Sequence, residues 1–384
     1  MSIKLDVSVA SLSKQGEEVC GDSTEVIKTA DATTVILSDG MGSGIKASIL
    51  SILTTRIASR LLQRKIGLDQ VFETIADTLP VCKVRGIAYS TLSVLRVSED
   101  GSAHLIEYDN PPLILLSNNR VAPVEGRTRQ IAGKDVAEAF FQVKPGDLLI
   151  LASDGITNAG VGGGLFKLGI GDEGLADNII SRDLIQEDAA KIAEKVMDLV
   201  DACYLSTLGD DSTVVIAKAR TPRVIILLTG PPEDARLDHA VVSKLLGARD
   251  AKRIICGGAT ANMVAREMNR PLRTSLEYED PSVPPIASIE GVDMVTEGIL
   301  TLNKCIEKLE NTMAGGPLRE SRDGATLLAG ELLKADKVTF LVGKALNPAH
   351  EELMRSVQLM PSPTSATQAY FSIILGCRVR QKPS

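Results

Sequence analysis

Four aspartates, each next to a glycine or to a second acid, are the residues of this chain best suited to chemistry. They are Asp22, Asp39, Asp154 and Asp210, and Asp211 follows the last of them. A carboxylate at the end of a strand can point into a cleft while a neighbouring glycine lets the backbone turn tightly. Several such carboxylates repel one another unless cations lie between them. Oxygen ligands suit Mg²⁺ or Mn²⁺, and a pair of these ions suits phosphoryl chemistry.

The first part of the chain has the patterning of alternating strands with inserted helices. Alternating or β-branched apolar runs predict strands at 3–10, 33–37, 87–97, 103–109, 112–117, 148–152 and 212–219. Apolar residues at helical spacing predict helices at 44–64, 68–79 and 187–204. Residues 160–174 are rich in glycine, so we expect a mobile loop there.

The rest of the chain has a different pattern after a short linker at residues 221–223. Three aliphatic runs, at 224–228, 253–256 and 338–342, are each followed by glycine and then by a helical stretch. Strand, glycine and helix in that order are typical of a parallel, Rossmann-like layered α/β domain. We therefore predict two domains, residues 1–220 and 224–384, which also agrees with the total length of 384 residues.

The composition limits which cellular compartment and which classes of partner we expect for this protein. The net charge of −7 argues against nucleic acid or an anionic membrane as the main partner. No apolar stretch has the length of a membrane helix, and the first residues lack a signal-peptide pattern. The six cysteines have no paired spacing, which favours free thiols in a reducing cytoplasm. The three histidines lie far apart, so a histidine-rich zinc site is not expected.

Several short motifs, in this order, carry a family resemblance. They are Gly21-Asp22, residues 39–44 (Asp-Gly-Met-Gly-Ser-Gly), Asn110-Pro111-Pro112, residues 145–149, residues 153–157 (Ser-Asp-Gly-Ile-Thr) and residues 210–215 (Asp-Asp-Ser-Thr-Val-Val). Each motif alone is an ordinary turn. Together they make residues 1–220 resemble the metal-dependent serine/threonine phosphatases of the PPM family (protein phosphatase 2C-like), of the bacterial sporulation stage II E type. The resemblance implies an αββα sandwich with a metal cleft at one edge.

The resemblance also implies the ligands of two Mn²⁺ or Mg²⁺ ions. Asp39 would bridge the ions, with Asp22 and the Gly40 carbonyl on one and Asp154 and Asp210 on the other. A water shared by the two ions would then be the nucleophile, so that no nucleophilic side chain is needed. Asp211 has two interpretations, a third-metal or second-layer ligand or a simple capping residue.

The chain also departs from the family pattern. Asn158 stands where relatives usually have an acid, and Asp109-Asn110 replaces the usual Gly-His turn. The phosphate-binding arginine of eukaryotic relatives has no clear counterpart, and the candidates for its role are Lys14, Lys83 and Arg85. The helix that begins at Gly44 starts beside Asp39, so we expect it to gate the metal site in response to a regulatory partner, as such helices do in related phosphatases.

The second domain has one candidate binding motif and no recognised family. Residues 257–260 (Gly-Gly-Ala-Thr) lie between a predicted strand and a helix, where Gly257, Gly258 and Thr260 could hold an anion. A tight turn without a ligand explains the motif equally well. An acidic loop at 277–281 is expected at the same edge, and a small ligand could bind there to modulate the first domain.

Three functions follow from these observations. The favoured one is a Mn²⁺- or Mg²⁺-dependent phosphatase that acts on phosphoserine or phosphothreonine of a regulatory protein in bacterial signalling. The first alternative is a phosphatase-like sensor without catalysis, although such a protein would have no need of mutually repelling carboxylates. The second is a two-metal hydrolase of a small phosphate ester. No particular oligomeric state is predicted.

Overall fold

The structure is a computed structural model that describes residues 2–29, 31–78, 90–161, 166–205, 207–274, 286–318 and 321–343. The chain divides into two compact units, Met1–Thr221 and Pro222–Ser384. The division lies in the short linker between the two patterned regions of the sequence.

Two antiparallel sheets form the centre of the first unit. One sheet has, in spatial order, β1 (Lys4–Leu12), β11 (Ser212–Arg220), β10 (Leu148–Ala152), β6 (Ile114–Ser117) and β7 (Arg120–Ala122). The other has β2 (Asp22–Lys28), β3 (Ala32–Asp39), β4 (Leu92–Ser98), β5 (Ser102–Tyr108), β9 (Lys134–Gln142) and β8 (Gly126–Ile131). The sequence patterns did not indicate β2, β7, β8 or β9, because exposed and charged residues interrupt the alternation of most of these strands.

Helices cover the outer face of both sheets. They are α1 (Gly44–Gln63), α2 (Leu68–Thr78), the single turn α3 (Asp154–Thr157), α4 (Gly171–Ser181) and α5 (Ala189–Cys203). One apolar core joins the inner faces of the sheets, a second packs α4 and α5 on the first sheet, and a third packs α1 and α2 on the second. The unit therefore has the αββα layers that the resemblance implied.

The glycine-rich stretch at 160–174 is only partly a loop. Helix α4 begins at Gly171, so the last four residues of the predicted loop are helical. Two acids stand in its first turn, where the helix dipole favours negative charge, and Leu175 and Ile179 are fully buried. Burial of this apolar face outweighs the low helix propensity of glycine.

The second unit is built on parallel strands. Its central strands, in spatial order, are β16 (Met294–Thr296), β13 (Ala251–Cys256), β12 (Val224–Thr229) and β17 (Lys337–Val342), all parallel. Two short antiparallel strands, β15 (Ala287–Ser288) and β14 (Arg273–Thr274), extend the β16 edge. The chain adds β13 and β16 on one side of β12 and then returns to add β17 on the other.

Among the described residues, four helices cover the two faces of this sheet. Helices α6 (Asp238–Gly247) and α7 (Gly258–Met268) pack on one face, and α8 (Ile299–Met313) and α9 (Gly324–Lys334) pack on the other. The helical segment predicted after Gly343 lies outside the described residues. Within the described ranges, no helix combines the length and apolar character needed to cross a bilayer.

Candidate metal centre

Asp22 and Asp39 lie opposite each other at the open end of the second sheet. Asp22 begins β2, Asp39 ends β3, and the two are directly paired in the antiparallel register. Neighbouring hydroxyls hold the backbone of Asp39 in place: its N–H donates to Thr91 Oγ1 at 2.8 Å, and its carbonyl accepts from Ser90 Oγ at 3.1 Å. The strand pairing therefore brings together the first two predicted ligands, which are 17 residues apart in sequence.

Ser153 joins the first sheet to Asp22. Its Oγ donates to Asp22 Oδ2 at 2.8 Å and accepts the N–H of Thr213 at 2.9 Å. The side chain of Ser153 is fully buried. One hydroxyl thus fixes the Asp22 carboxylate to the ends of β10 and β11, which also carry Asp154 and the acids at 210–211.

The motifs around Asp154 and Asp211 are in direct contact. Asp154 is the first residue of α3, and Gly155 lies so close to the backbone carbonyl of Asp211 that a Cβ at Gly155 would overlap it. Asp211 is buried, and its Oδ1 accepts the backbone N–H of Lys14 at 2.9 Å. One carboxylate oxygen of Asp211 thus holds the loop at Lys14, and both interpretations of Asp211 stay predictions.

The carboxylates oppose one another's ionisation. Burial, followed by the charges of Asp22, Asp154 and Asp210, raises the pKa of Asp39 to about 9. Burial also raises the pKa of Asp22 to about 6, although hydrogen bonds lower it in part. For Asp210, burial and then Asp154 raise the pKa, while the positive charge of Lys14 lowers it. The predicted ligands therefore form one electrostatically coupled cluster.

This donor set fits hard divalent cations. Asp22 Oδ1 and Asp211 Oδ2 are buried carboxylate oxygens without a hydrogen-bond partner. Such oxygens are costly to bury unless a proton or a cation satisfies them, and an all-oxygen set suits Mg²⁺ or Mn²⁺. Across the described part of the chain, no three acidic, histidine or cysteine side chains stand in ready ligand geometry. The set Asp22, Asp39, Gly40, Asp154 and Asp210 therefore stays a prediction.

Helix α1 packs directly on Gly40, the predicted carbonyl ligand. A Cβ at Gly40 would overlap the backbone of Ala47, so only glycine allows this approach. The buried face of α1 carries only small and hydroxyl residues, namely Gly44, Ala47, Ser51, Thr54, Thr55, Ala58 and Ser59. Four large apolar residues, Ile45, Ile49, Ile52 and Leu53, are exposed, whereas Ile57, Leu61 and Leu62 are half-buried and pack against the core. The exposed apolar residues of the first half favour contact with a partner, and the gating role stays a prediction.

The loop between β1 and β2 contacts both the acids and α1. Lys14 is held against Asp211, as described above, and Glu17 accepts a hydrogen bond from Ser43 Oγ at 2.9 Å at the start of α1. Of the candidates for phosphate binding, Lys14 thus lies beside the acidic cluster. The other two, Lys83 and Arg85, lie outside the described residues.

Asn158, which departs from the family pattern, and His104 both lie in the first unit. Asn158 ends α3 and is exposed. His104, on β5, lies 2.9 Å from Glu138 and stacks on Phe140 with ring centroids 4.1 Å apart. The contacts with Glu138 and Phe140, both on β9, hold the His104 ring against the neighbouring strand.

In the second unit, the predicted anion motif lies at the start of α7. Gly257 has a φ of 118°, and Gly258 begins the helix. A carboxylate oxygen of Glu297 lies 3.5 Å from the point where a Cβ on Gly258 would stand. The negative charge of this carboxylate opposes the binding of an anion at Gly258. Binding by Gly257, Gly258 and Thr260 stays a prediction, and the acidic loop at 277–281 lies outside the described residues.

A different feature of this unit is a cleft at the carboxyl ends of β12 and β17. Its volume is about 450 Å³, and its lining is mainly apolar with a few charged groups: Leu228, Pro232, Glu233, Asp234, Leu237, Val241, Lys244, Leu341, Val342 and Gly343. No pattern in the sequence indicates this cleft, because the cleft depends on which strands are neighbours.

Comparisons with known proteins concern the first unit. The family model described as Stage II sporulation protein E (SpoIIE) matches residues 29–220, half of the chain. Stage II sporulation protein E of Bacillus subtilis (strain 168) is 27% identical over 222 residues, which are 56% of this chain and 26% of that protein. The protein of the same name from Priestia megaterium is 25% identical over 226 residues, 57% of this chain and 37% of the relative.

A solved structure is also similar. It contains the PP2C phosphatase domain and a fragment of the regulatory domain of SpoIIE from Bacillus subtilis, with 26% identity and a TM-score of 0.49. The alignment covers 58% of this chain and 65% of that structure. The chain matches well under half the length of either curated relative. On the strength of the family match, the chain belongs to the Stage II sporulation protein E family.

Proposed function

We propose that this protein is a divalent-metal-dependent phosphatase that removes phosphate from phosphoserine or phosphothreonine in a bacterial regulatory protein. The observation that carries the proposal is the convergence of carboxylates from four separate motifs at the edge of the two sheets, with two buried oxygens left unpartnered. Membership of the family supports the same reaction.

The aspartates would bind the metal ions, and Lys14 would contact the phosphate. Asp39, which interacts electrostatically with Asp22 and Asp154, would contact two Mn²⁺ or Mg²⁺ ions, and Asp210 would complete one of the sites. When bound, two such ions polarise a water for attack on phosphorus and offset the charge of the phosphate. Lys14 would add positive charge beside the incoming phosphate.

A phosphate-release assay tests this proposal. The full-length protein would be given a phosphoserine peptide and para-nitrophenyl phosphate, each with Mn²⁺ and with chelator. We expect turnover that needs Mn²⁺ and that Asp154→Asn abolishes, whereas Asp77→Asn, an exposed position on α2, leaves it unchanged. A rate with chelator equal to the rate with Mn²⁺ would contradict the proposal.

The same assay separates the two alternatives. A hydrolase of small phosphate esters would release phosphate from phosphometabolites far faster than from phosphopeptides. A sensor without catalysis would bind Mn²⁺, seen as a rise in melting temperature, with no turnover of any substrate. The sensor is the less favoured interpretation, because a protein without catalysis needs no set of mutually repelling acids.

We further propose that the second unit binds a small ligand that modulates the first. The cleft lies at the carboxyl ends of β12 and β17, where the strand order reverses, and ligands of α/β sheets bind at such points. Apolar walls together with one cation, Lys244, and two acids, Glu233 and Asp234, favour a small organic molecule that carries both apolar and polar groups. Thermal shift with a panel of nucleotides and small carboxylates tests this, and Val241→Trp, which fills the cleft, should remove any shift.

A further inference from the structure

Tyr204 contacts two of the acidic motifs at once. It follows the last residue of α5 and is 5% exposed. Its hydroxyl donates to the backbone carbonyl of Gly155 at 3.0 Å. A Cβ at Gly209 would stand 3.0 Å from Tyr204 Cε1, so the ring packs directly on that glycine. One side chain therefore touches the residue after Asp154 and the residue before Asp210.

The position of Tyr204 is fixed by the core. Helix α5 packs on the first sheet through Ile192, Val196 and Val200, all of which are buried. Its last turn places the tyrosine ring beneath both loops. Because the helix is anchored by many apolar contacts, its end is a rigid reference point for two loops that are separated by more than 50 residues in sequence.

The hydroxyl of Tyr204 is a donor and not a reacting group. Burial, with smaller contributions from the charges of Asp210 and Asp154, raises its pKa to about 12. The proton therefore stays on the oxygen at any physiological pH, and its acceptor is a backbone carbonyl behind the acids. In many metalloproteins, residues that do not touch the metal orient the residues that bind it. The hydrogen bond from Tyr204 to the Gly155 carbonyl is of this kind.

We propose that Tyr204 is a positioning residue that sets the separation of Asp154 and Asp210, so that both can bind the same divalent ion. This inference rests on the proposed function, because it assumes that these two aspartates share an ion. The proposed role belongs to a residue that lies outside all of the acidic motifs.

The test compares full-length wild type with Tyr204→Phe, which keeps the ring and removes the hydroxyl. Mn²⁺ binding would be followed by the electron paramagnetic resonance signal of free Mn²⁺, and turnover by para-nitrophenyl phosphate hydrolysis over a Mn²⁺ titration. We expect the Mn²⁺ concentration for half-saturation to rise about 5- to 10-fold. At saturating Mn²⁺, kcat should stay within about 3-fold of wild type, because the ligands themselves remain.

Tyr108→Phe is the matched control. Tyr108 is also buried but packs edge-on against Phe72 in the core beneath α2. We expect its Mn²⁺ titration to equal that of the wild type. Gly209→Ala gives an independent check, because the new methyl group would press on the Tyr204 ring and should also weaken Mn²⁺ binding.

Two results would overturn the inference. One is an unchanged Mn²⁺ affinity in Tyr204→Phe, and the other is a loss of kcat and melting temperature at an unchanged Mn²⁺ affinity. Failure of the proposed function looks different: the wild type would then bind Mn²⁺ without turnover. The resonance measurement on Tyr204→Phe would still decide whether Tyr204 positions the acids.

Discussion

Ser153 Oγ donates a 2.8 Å hydrogen bond to Asp22 Oδ2 and thereby ties the end of one sheet to the first acid of the other. The bond leaves Asp22 Oδ1 as the buried oxygen without a partner. One oxygen of the carboxylate is thus held by the protein and the second is left for a cation. The rotamer of Asp22 is set by a residue 131 positions away in sequence.

Ser153→Ala should weaken both the fold and cation binding. It removes the donor to Asp22 and leaves the buried N–H of Thr213 without its acceptor, which costs about 1–3 kcal/mol. We expect a lower melting temperature in chelator and a higher Mn²⁺ requirement for turnover. Ser181→Ala, at an exposed hydroxyl on α4, is the control. Equal behaviour of the two variants would show that the bond has no role.

Asp39→Asn should separate stability from activity. Because the pKa of Asp39 is raised, its contribution to stability is full below its ordinary value near 4 and is lost as pH rises towards about 9. In chelator at pH 8 the variant should therefore be more stable than wild type, by on the order of 1–3 kcal/mol. It should also lose the stabilisation by Mn²⁺ and at least about 100-fold in turnover.

Denaturant unfolding with and without Mn²⁺ measures the two effects of Asp39→Asn on stability. Hydrolysis of para-nitrophenyl phosphate measures its effect on turnover. Asp77→Asn, exposed on α2, controls for the loss of one negative charge. A variant less stable than wild type in chelator would contradict the repulsion between the carboxylates.

Gly40→Ala should disturb the contact between β3 and α1. The added Cβ would overlap the Ala47 backbone, so the helix must shift or the strand end must move, at a cost of about 1–3 kcal/mol. We expect a lower melting temperature together with reduced Mn²⁺-dependent turnover. Gly67→Ala is a matched control, because a Cβ there meets no atom within 4 Å. Retention of full stability in Gly40→Ala would mean that α1 moves freely away from Gly40.

Glu107→Gln should change how stability depends on pH. Burial raises the pKa of Glu107 to about 7, although its carboxylate accepts the Leu113 N–H at 2.9 Å. Since the pKa is raised, the stabilisation is full below about 4.5 and is lost as pH rises through 7. Glutamine keeps an acceptor for Leu113 and cannot ionise.

The advantage of Glu107→Gln over wild type should therefore grow between pH 4.5 and 7 and level off above, at about 3 kcal/mol or less. Urea unfolding across this range in chelator measures it. Glu125→Gln, at an exposed position, should show no such trend. A constant difference between Glu107→Gln and wild type at all pH values would rule out a buried, titrating Glu107.

The sequence by itself determined the acidic motifs and the strongly periodic elements. Local periodicity located β10 at its observed bounds, and α1, α2, α5 and β11 within two residues, because each repeats its apolar residues over a short window. The aspartate motifs were visible because turns at strand ends use few residue types. The same short-range information failed for β8, which is mostly exposed and polar, and for the start of α4.

Only the tertiary structure decided how the acids are held. Ser153 and Tyr204 act through contacts to residues far away in sequence, and no periodicity marks such contacts. The cleft beside β17 likewise depends on the order of parallel strands, which is fixed by packing on both faces of the sheet. Local patterns specify which groups are present, whereas long-range packing specifies which of their atoms are satisfied and which are free.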